Sequence, residues 1–150
     1  MKFSLLVMIA ACLFACNNQE TDKKENDKPG ANTDSESASC YAYLNNKDSV
    51  LLHLYVKDKM VTGELSYNFY EKDKNTGTIQ GEMKGDTLLA DYSFVSEGVS
   101  SVREVVFLKR GNELVEGHGD ADQVGNKLVF TNRSTLNFSG LVLQTTPCEK

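Results

Sequence analysis

Residues 50–70, VLLHLYVKDKMVTGELSYNFY, decide the fold of this chain. On either side of the turn signal Lys57-Asp58-Lys59, apolar residues occupy every second position, which is the period of a β-strand with one buried face. The same period returns in runs that begin near Ile79, Leu88 and Val102. Short segments rich in Gly, Asn and Asp separate these runs and predict tight turns.

Further strands fit residues 113–118, 127–131 and 141–145, and one short helical turn fits residues 132–137. No window of ten or more residues combines helical spacing with a capping residue. We therefore predict an all-β domain, an antiparallel meander of about eight strands that forms a small barrel. A β-sandwich is the alternative architecture.

The N-terminus has the pattern of a bacterial export signal. One basic residue, Lys2, precedes an apolar run that is shorter than the about 20 residues of a membrane-spanning helix. The run ends at Leu13-Phe14-Ala15-Cys16, which resembles the lipobox of bacterial lipoproteins. The resemblance implies cleavage before Cys16, lipidation of that cysteine with acyl chains such as palmitate, and anchoring in the cell envelope, at the outer membrane. Ile9-Ala10-Ala11-Cys12 is a second candidate lipobox, and an ordinary secretory signal is a further alternative.

These boundaries divide the chain into three parts. Residues 1–15 are the predicted signal peptide, residues 16–39 are the lipidated Cys16 and its linker, and residues 40–148 are a single domain. The linker after Cys16 contains no Val, Leu, Ile or aromatic residue, so we predict that it is disordered. As a flexible coil it would hold the domain at an r.m.s. distance of roughly 25 Å from the bilayer.

The cysteines predict one disulfide. Cys12 leaves with the signal peptide and Cys16 is consumed by lipid, so Cys40 and Cys148 remain as thiols. Two thiols in an exported domain favour a disulfide, which here would join the two ends of the domain. Two separate free cysteines, or a metal site that recruits a histidine, are the alternatives.

The charge balance excludes one class of partner. The mature chain would carry 15 basic and 21 acidic residues, a net charge of about −6. It has no basic stripe interleaved with aromatic residues, so we expect no nucleic-acid binding. Contact with the membrane would depend on the lipid alone.

Residues 71–109, EKDKNTGTIQGEMKGDTLLADYSFVSEGVSSVREVVFLK, together with Cys40-Tyr41-Ala42-Tyr43 and a cysteine near the C-terminus, resemble a group of small bacterial lipoproteins. That group has no assigned activity, so the resemblance implies no site residue. In architecture the chain is similar to lipocalin and avidin-like barrels, although it contains no tryptophan, which lipocalins place near the first strand.

The sequence contains no recognisable catalytic grouping. Neither a nucleophile turn nor a Ser or Cys with a matched His and carboxylate is visible, so we predict a non-enzymatic protein without catalytic residues or cofactor. His53 and His118 fit surface or rim positions. A short acidic stretch offers oxygen ligands that calcium would accept, but it lacks the loop pattern of a calcium site, and we favour a strand end followed by a solvated turn. The members of this stretch are Glu116, His118, Asp120 and Asp122.

The most suggestive group surrounds Arg103. The register that buries Val105 and Phe107 points Arg103 to the same side. A cation in a barrel interior needs a partner, because an unpaired buried charge is costly, and Glu97 or Glu116 could provide it. Arg103 would then either close the barrel end or bind an acidic ligand. The candidate ligand-binding residues are Tyr92, Glu97, Arg103 and Glu116.

Two functions follow from these observations. The first is a membrane-anchored binding or interaction module for an unknown small molecule or protein. The second is a structural or stress-related envelope protein with a filled core, since a filled interior is the default for a barrel this small. The residues that would line a cavity or fill the core are Leu54, Leu65, Tyr67, Phe69, Met83, Tyr92, Phe94 and Phe107.

Overall fold

A computed structural model describes residues 36–148. This part of the chain is all-β, as predicted, and contains ten strands and one 3-10 turn. Within it, no helix has both the length and the apolar character needed to cross a bilayer. The strands are β1 (Ser37–Asn45), β2 (Asp48–Lys57), β3 (Met60–Asn68), β4 (Asn75–Lys84), β5 (Thr87–Ser96), β6 (Val99–Arg110), β7 (Glu113–Gly117), β8 (Ala121–Val124), β9 (Lys127–Phe130) and β10 (Val142–Thr146), and the 3-10 turn spans Arg133–Thr135.

Eight of these strands close into an antiparallel barrel. Strands β1 to β7 follow one another around the wall, β10 pairs with β7 on one side, and its other side pairs with β1. The predicted barrel is therefore confirmed, and the sandwich alternative is wrong. Closure satisfies the backbone groups that a sheet of this size would otherwise leave exposed at its edges.

A short hairpin of β8 and β9 lies outside the barrel wall. Strand β9 pairs in parallel with β6 at Val102 and Arg103, and β8 pairs with β9 alone. We had predicted β9 but not β8, whose residues we placed in a solvated turn. Ala121–Val124 is mostly exposed, so no buried face produces the two-residue period that marks the other strands.

The barrel interior is filled with apolar side chains, and their periodicity in the sequence is the reason the strands form. All eight residues predicted to line a cavity or fill the core pack in one apolar cluster. Each fully buried aliphatic or aromatic side chain stabilises the fold by about 1.5–3 kcal/mol. The largest nearly inaccessible members are Leu52, Leu65, Ile79, Leu88, Tyr92, Phe107, Leu114 and Leu143.

One inward-facing glycine lets the wall curve tightly. A Cβ at Gly77 on β4 would overlap the carbonyl oxygen of Ser93 and approach Cα of Phe94 at 2.6 Å, both on β5. A residue with a side chain could not be accommodated there without moving the backbone. Phe94, which pairs with Gly77, is partly buried and packs against the core.

Cys40 and Cys148 form the predicted disulfide, with their Cα atoms 5.2 Å apart. The bond joins β1 to the segment after β10 and encloses a loop with a sequence separation of 108 residues. A loop of that size stabilises the folded state by at most about 4–5 kcal/mol through the entropy of the unfolded chain.

The two ends of the barrel differ in what they carry. Because consecutive strands alternate in direction, the start of β1, the end of β10 and the turns β2–β3, β4–β5 and β6–β7 share one end, named here the disulfide end. The turns β1–β2, β3–β4 and β5–β6 lie at the opposite end, named the distal end. The chain therefore enters and leaves the barrel at the disulfide end.

The boundary between linker and barrel differs from the expectation. We predicted a disordered linker through residue 39, but β1 begins at Ser37, and Ser37–Ser39 pair with the C-terminal half of β2. Backbone hydrogen bonding to β2 needs no apolar side chain, which is why composition missed these residues. The predicted signal peptide, Cys16 and linker residues 17–35 lie outside the described residues.

Candidate functional site

Arg103 on β6 lies in the distal half of the barrel and faces the interior, as predicted. It pairs with Tyr92 across the β5–β6 ladder. Its guanidinium carbon lies 5.1 Å from the ring centroid of Tyr67 and 5.6 Å from those of Tyr92 and Phe94. Three aromatic faces on β3 and β5 therefore surround the cation, and each contact is worth about 0.5–2 kcal/mol depending on desolvation.

The guanidinium group has no polar partner within residues 36–148. No hydrogen bond or ion pair joins it to another side chain or to backbone in that range, and its Nε is buried and unpaired. The predicted partner Glu97 is instead exposed in the β5–β6 turn, in a left-handed conformation with φ of 49°. Aromatic rings offset part of the cost of burying the charge but accept no conventional hydrogen bond from Arg103.

Glu116 on β7, the other predicted partner, is hydrogen-bonded to a tyrosine. The hydroxyl of Tyr67 donates to Glu116 Oε1 over 2.6 Å. Burial raises the pKa of Glu116, and the hydrogen bond from Tyr67 and the charges of Arg103 and His118 offset only part of that effect. Burial, reinforced by the charge of Glu116 and the hydrogen bond to it, also raises the pKa of Tyr67. Tyr67 therefore stays protonated and keeps donating.

Tyr92 completes the aromatic cage and carries a second unpaired group. Its ring is stacked on Phe94, with centroids 4.8 Å apart and an interplanar angle of 15°. The side chain is completely buried, and its hydroxyl has no hydrogen-bond partner in the described part of the chain. Burial raises the pKa of Tyr92 to about 12, with a smaller opposing effect from Arg103.

A cleft opens beside this cluster where two strands of the wall separate. The β6–β7 ladder ends at Val106 and Gly117, and His118 pairs instead with Asn137. The space between β6, β7 and the β8–β9 hairpin has a volume of about 300 Å³. Its polar inner residues are Arg103 and Glu116, and its further lining includes Val105, Gly117, His118, Gly119, Ala121, Leu128, Phe130 and Gly140.

The outer side of the cleft is held by the buried carboxylate of Glu104, to which the sequence analysis assigned no role. Glu104 points away from the interior, is 6 % exposed, and accepts a hydrogen bond from the backbone N–H of Phe130 at 3.0 Å. It also forms ion pairs with Arg133 and Lys127, and Lys127 reaches Asp91 at 2.6 Å. These contacts fasten β9 and the 3-10 turn to β6.

The environment of Glu104 keeps it ionised. Burial alone would raise the pKa of this carboxyl, but the hydrogen bonds from Arg133 and Phe130 and the charges of Arg133 and Lys127 outweigh burial and lower it. The one signal for Glu104 in the sequence is a charged residue immediately before the apolar run VVFL, beside Arg103.

The other predicted residues are not brought together. Glu116 faces the cleft, whereas His118, Asp120 and Asp122 are exposed, and these four do not form a group able to share a metal ion in residues 36–148. His53 lies on the outer face of β2 beside both sulfurs of the disulfide, within 4.8 Å. Those sulfurs are bonded to each other and offer no thiolate to a metal.

No protein-family model matches the chain, and searches of curated proteins and of solved structures find no match either. The similarity to lipocalin and avidin-like barrels therefore stays a prediction, and the described residues show a closed eight-stranded antiparallel barrel.

Proposed function

We propose that this protein is a lipid-anchored lipoprotein of the bacterial cell envelope, sited at the outer membrane, whose barrel binds a small molecule without catalysing a reaction. The observation that carries the proposal is the guanidinium of Arg103, which lies in an aromatic cage beside a cleft and has no polar partner in the described residues. Arg103 is partly buried, and its buried Nε has no hydrogen-bond partner among the described residues, which costs desolvation energy. A ligand that pairs with the guanidinium in the cleft would account for this arrangement.

The position of the site in the barrel suits an anchored protein. The chain reaches β1 at the disulfide end, whereas Arg103 lies in the distal half of β6. A tether from Cys16 would thus attach at the end of the barrel farther from the cleft. The pattern Leu13-Phe14-Ala15-Cys16 is the support for that tether.

One observation favours the alternative of a structural or stress-related envelope protein. The residues that would line a large internal cavity pack together as core, so a ligand could not occupy the centre of the barrel. The side cleft beside Arg103 has a volume of about 300 Å³, which is at the lower end of small-molecule sites. In that alternative Arg103 would serve to close the distal end of the core.

Native mass spectrometry distinguishes the binding function from the structural alternative. Residues 33–150, which form a unit by their internal contacts, would be purified from a bacterial periplasm and analysed before and after mild denaturation. We expect a co-purifying small molecule that is lost on unfolding and absent from an Arg103→Gln variant. Arg110→Gln, at an exposed position on the same strand, is the matched control and should retain it. A ligand-free mass for the unaltered protein would favour the structural alternative.

A further inference from the structure

We infer that the ligand of the cleft is a small organic carboxylate with an apolar body, its carboxylate held by Arg103 and by Glu116 as a second hydrogen-bonding group. This inference rests on the proposed binding function and names the chemical class of the ligand.

The cation provides the recognition of a carboxylate. A guanidinium carries five N–H donors in a planar fork that matches the two oxygens of a carboxylate. Within residues 36–148 none of these donors is used, while the rings of Tyr67, Tyr92 and Phe94 restrict how the group can turn. The fork is therefore largely pre-organised, which lowers the entropic cost of binding.

The acid provides a proton. Glu116 is faced by Tyr67 from β3, by Arg103 from β6 and by His118 beyond β7. Toward β10 its backbone N–H donates to the carbonyl of Leu141. Burial already raises the pKa of Glu116, and an anion beside it would raise that pKa further. A protonated Glu116 can accept from Tyr67 with one oxygen and donate from the other to the ligand.

Coupled proton uptake follows from this arrangement. An ionised Glu116 would repel a ligand carboxylate, so the complex favours the protonated acid and affinity should increase as pH falls. The ligand itself remains mostly ionised, since an ordinary carboxyl has a pKa of about 4. The increase in affinity should occur at pH values above the ordinary pKa of a glutamic acid, because the pKa of Glu116 is raised.

The outer wall provides the apolar contact. Leu128 is 40 % exposed and lines the cleft with Phe130, Val105 and Ala121. Gly140 has no side chain and lies against the backbone of Glu116, which limits the width of the cleft. A Cβ at Gly140 would lie 2.7 Å from the backbone oxygen of Glu116. A single ring or a short chain fits a cleft of about 300 Å³, and contact with Leu128 would remove an exposed apolar side chain from water.

Isothermal titration calorimetry on residues 33–150 tests the ligand class with three probes. Phenylacetate has both the anion and the apolar body, phenylacetamide has the same shape without the charge, and inorganic phosphate has charge without the body. We expect phenylacetate to bind at least about tenfold more tightly than either, a difference of about 1.4 kcal/mol. Arg103→Gln should abolish this preference, and Arg110→Gln should leave it unchanged. Equal binding of phenylacetate and phenylacetamide would overturn the inference.

The pH arm tests the role of Glu116. Phenylacetate should bind more tightly at about pH 5.5 than at about pH 7.5, a range over which ordinary glutamates are ionised. Glu116→Gln, which mimics the neutral acid, should bind equally well at both values and at least as tightly as the unaltered protein at the higher one. Glu113→Gln, at the other end of β7 and absent from the cleft lining, is the control and should keep the pH dependence, and His118→Gln asks whether the histidine in the cleft lining titrates instead. Loss of the dependence in His118→Gln, but not in Glu116→Gln, would contradict the role of Glu116.

Two further results keep this inference separate from the proposed function. If Arg103→Gln does not fold, as judged by its melting curve, Arg103→Lys keeps the charge but loses the fork and should bind phenylacetate about tenfold more weakly. An uncharged co-purifying ligand would support a binding protein and refute the carboxylate. Absence of both a co-purifying ligand and probe binding would refute both proposals.

Discussion

Two buried tyrosines show how much depends on the partner of a single hydroxyl. Tyr67 and Tyr92 both lie in the barrel interior, with ring centroids 5.9 Å apart. The hydroxyl of Tyr67 donates to Glu116, whereas that of Tyr92 is buried without a partner among the described residues. A satisfied buried hydroxyl adds stability, and an unsatisfied one costs its desolvation energy.

Removing each hydroxyl should therefore have different effects on stability. We expect Tyr67→Phe to lower the free energy of unfolding by about 1–2 kcal/mol, because Glu116 also loses its hydrogen bond. Tyr92→Phe should leave it unchanged or raise it by up to about 1 kcal/mol. Urea denaturation at neutral pH measures both, and each variant is the control for the other because the deletion is chemically the same. Equal losses in the two variants would contradict this account.

At the same scale, the sequence could predict the direction of a side chain but not its partner. The period of β6 correctly placed Arg103 on the side of Val105 and Phe107. Glu97 was a plausible partner because it is close in sequence. The actual neighbour of Glu116 is Tyr67, 49 residues earlier in the chain, and a contact over that distance depends on barrel closure, which a local pattern does not contain.

The β8–β9 hairpin has less backbone pairing to the barrel wall than the strands of the wall have to one another. Its backbone pairing to the wall is confined to two residue pairs between β9 and β6. Side chains provide the remaining attachment, since Glu104 binds Lys127, Arg133 and the backbone of Phe130. Leu128 and Phe130 on this hairpin form the outer wall of the cleft, so the Glu104 contacts also fix the shape of the binding site.

Neutralising Glu104 should loosen the hairpin without unfolding the barrel. In Glu104→Gln we expect backbone amides of β8 and β9 to exchange with solvent at least about tenfold faster, which corresponds to about 1.4 kcal/mol of local stability. Amides of β2 and β3, on the other side of the barrel, should keep their exchange rates. Hydrogen exchange followed by NMR provides the measurement. Glu113→Gln, an acidic residue at the start of β7 that does not contact the hairpin, is the control.

The contribution of Glu104 to the stability of the hairpin should decrease as the solution becomes acidic. The pKa of Glu104 is lowered in the folded protein, so its contribution is present above the ordinary pKa of a glutamic acid and is lost as pH falls through the lowered value. Lower protection factors in β8 and β9, that is, exchange rates corrected for the slower intrinsic exchange in acid, should therefore appear in the unaltered protein at low pH. Unchanged hairpin exchange in Glu104→Gln would show that backbone pairing alone holds β9.

For the whole molecule, barrel closure explains which features the sequence revealed. Alternating apolar residues predicted the strands, because each one buries a single face. The order of closure was not predictable, since β10 inserts between β7 and β1 and leaves β8 and β9 outside. Which strand closes the barrel depends on how the chain after Gly117 folds back along the wall. The spacing of residues in the sequence does not indicate that path. The disulfide was predictable because the predicted export signal and lipid anchor account for Cys12 and Cys16 and leave one pair of cysteines.

The predicted anchor can be tested on the full chain in a bacterial host. We expect metabolic labelling with an alkynyl fatty acid to mark the protein and to fail in a Cys16→Ser variant, because the thioether needs the cysteine thiol. Cys12→Ser is the matched control and should remain labelled. Labelling that depends on Cys12 instead would move the lipid to the other candidate box, and an unlabelled protein would refute the lipoprotein assignment.

The position of the disulfide also determines how the barrel would respond to mechanical force. Any pull transmitted along the chain from a lipid on Cys16 would enter through β1, where Ser37, Ala38 and Ser39 precede Cys40. At Cys40 the covalent bond passes the load to Cys148 and so to β10. Strand β1 therefore cannot be drawn out of the wall unless β10 moves with it, and their ladders with β2 and β7 must yield together. The bond would thus share tension between two strands at the end of the barrel where a tether from Cys16 would attach.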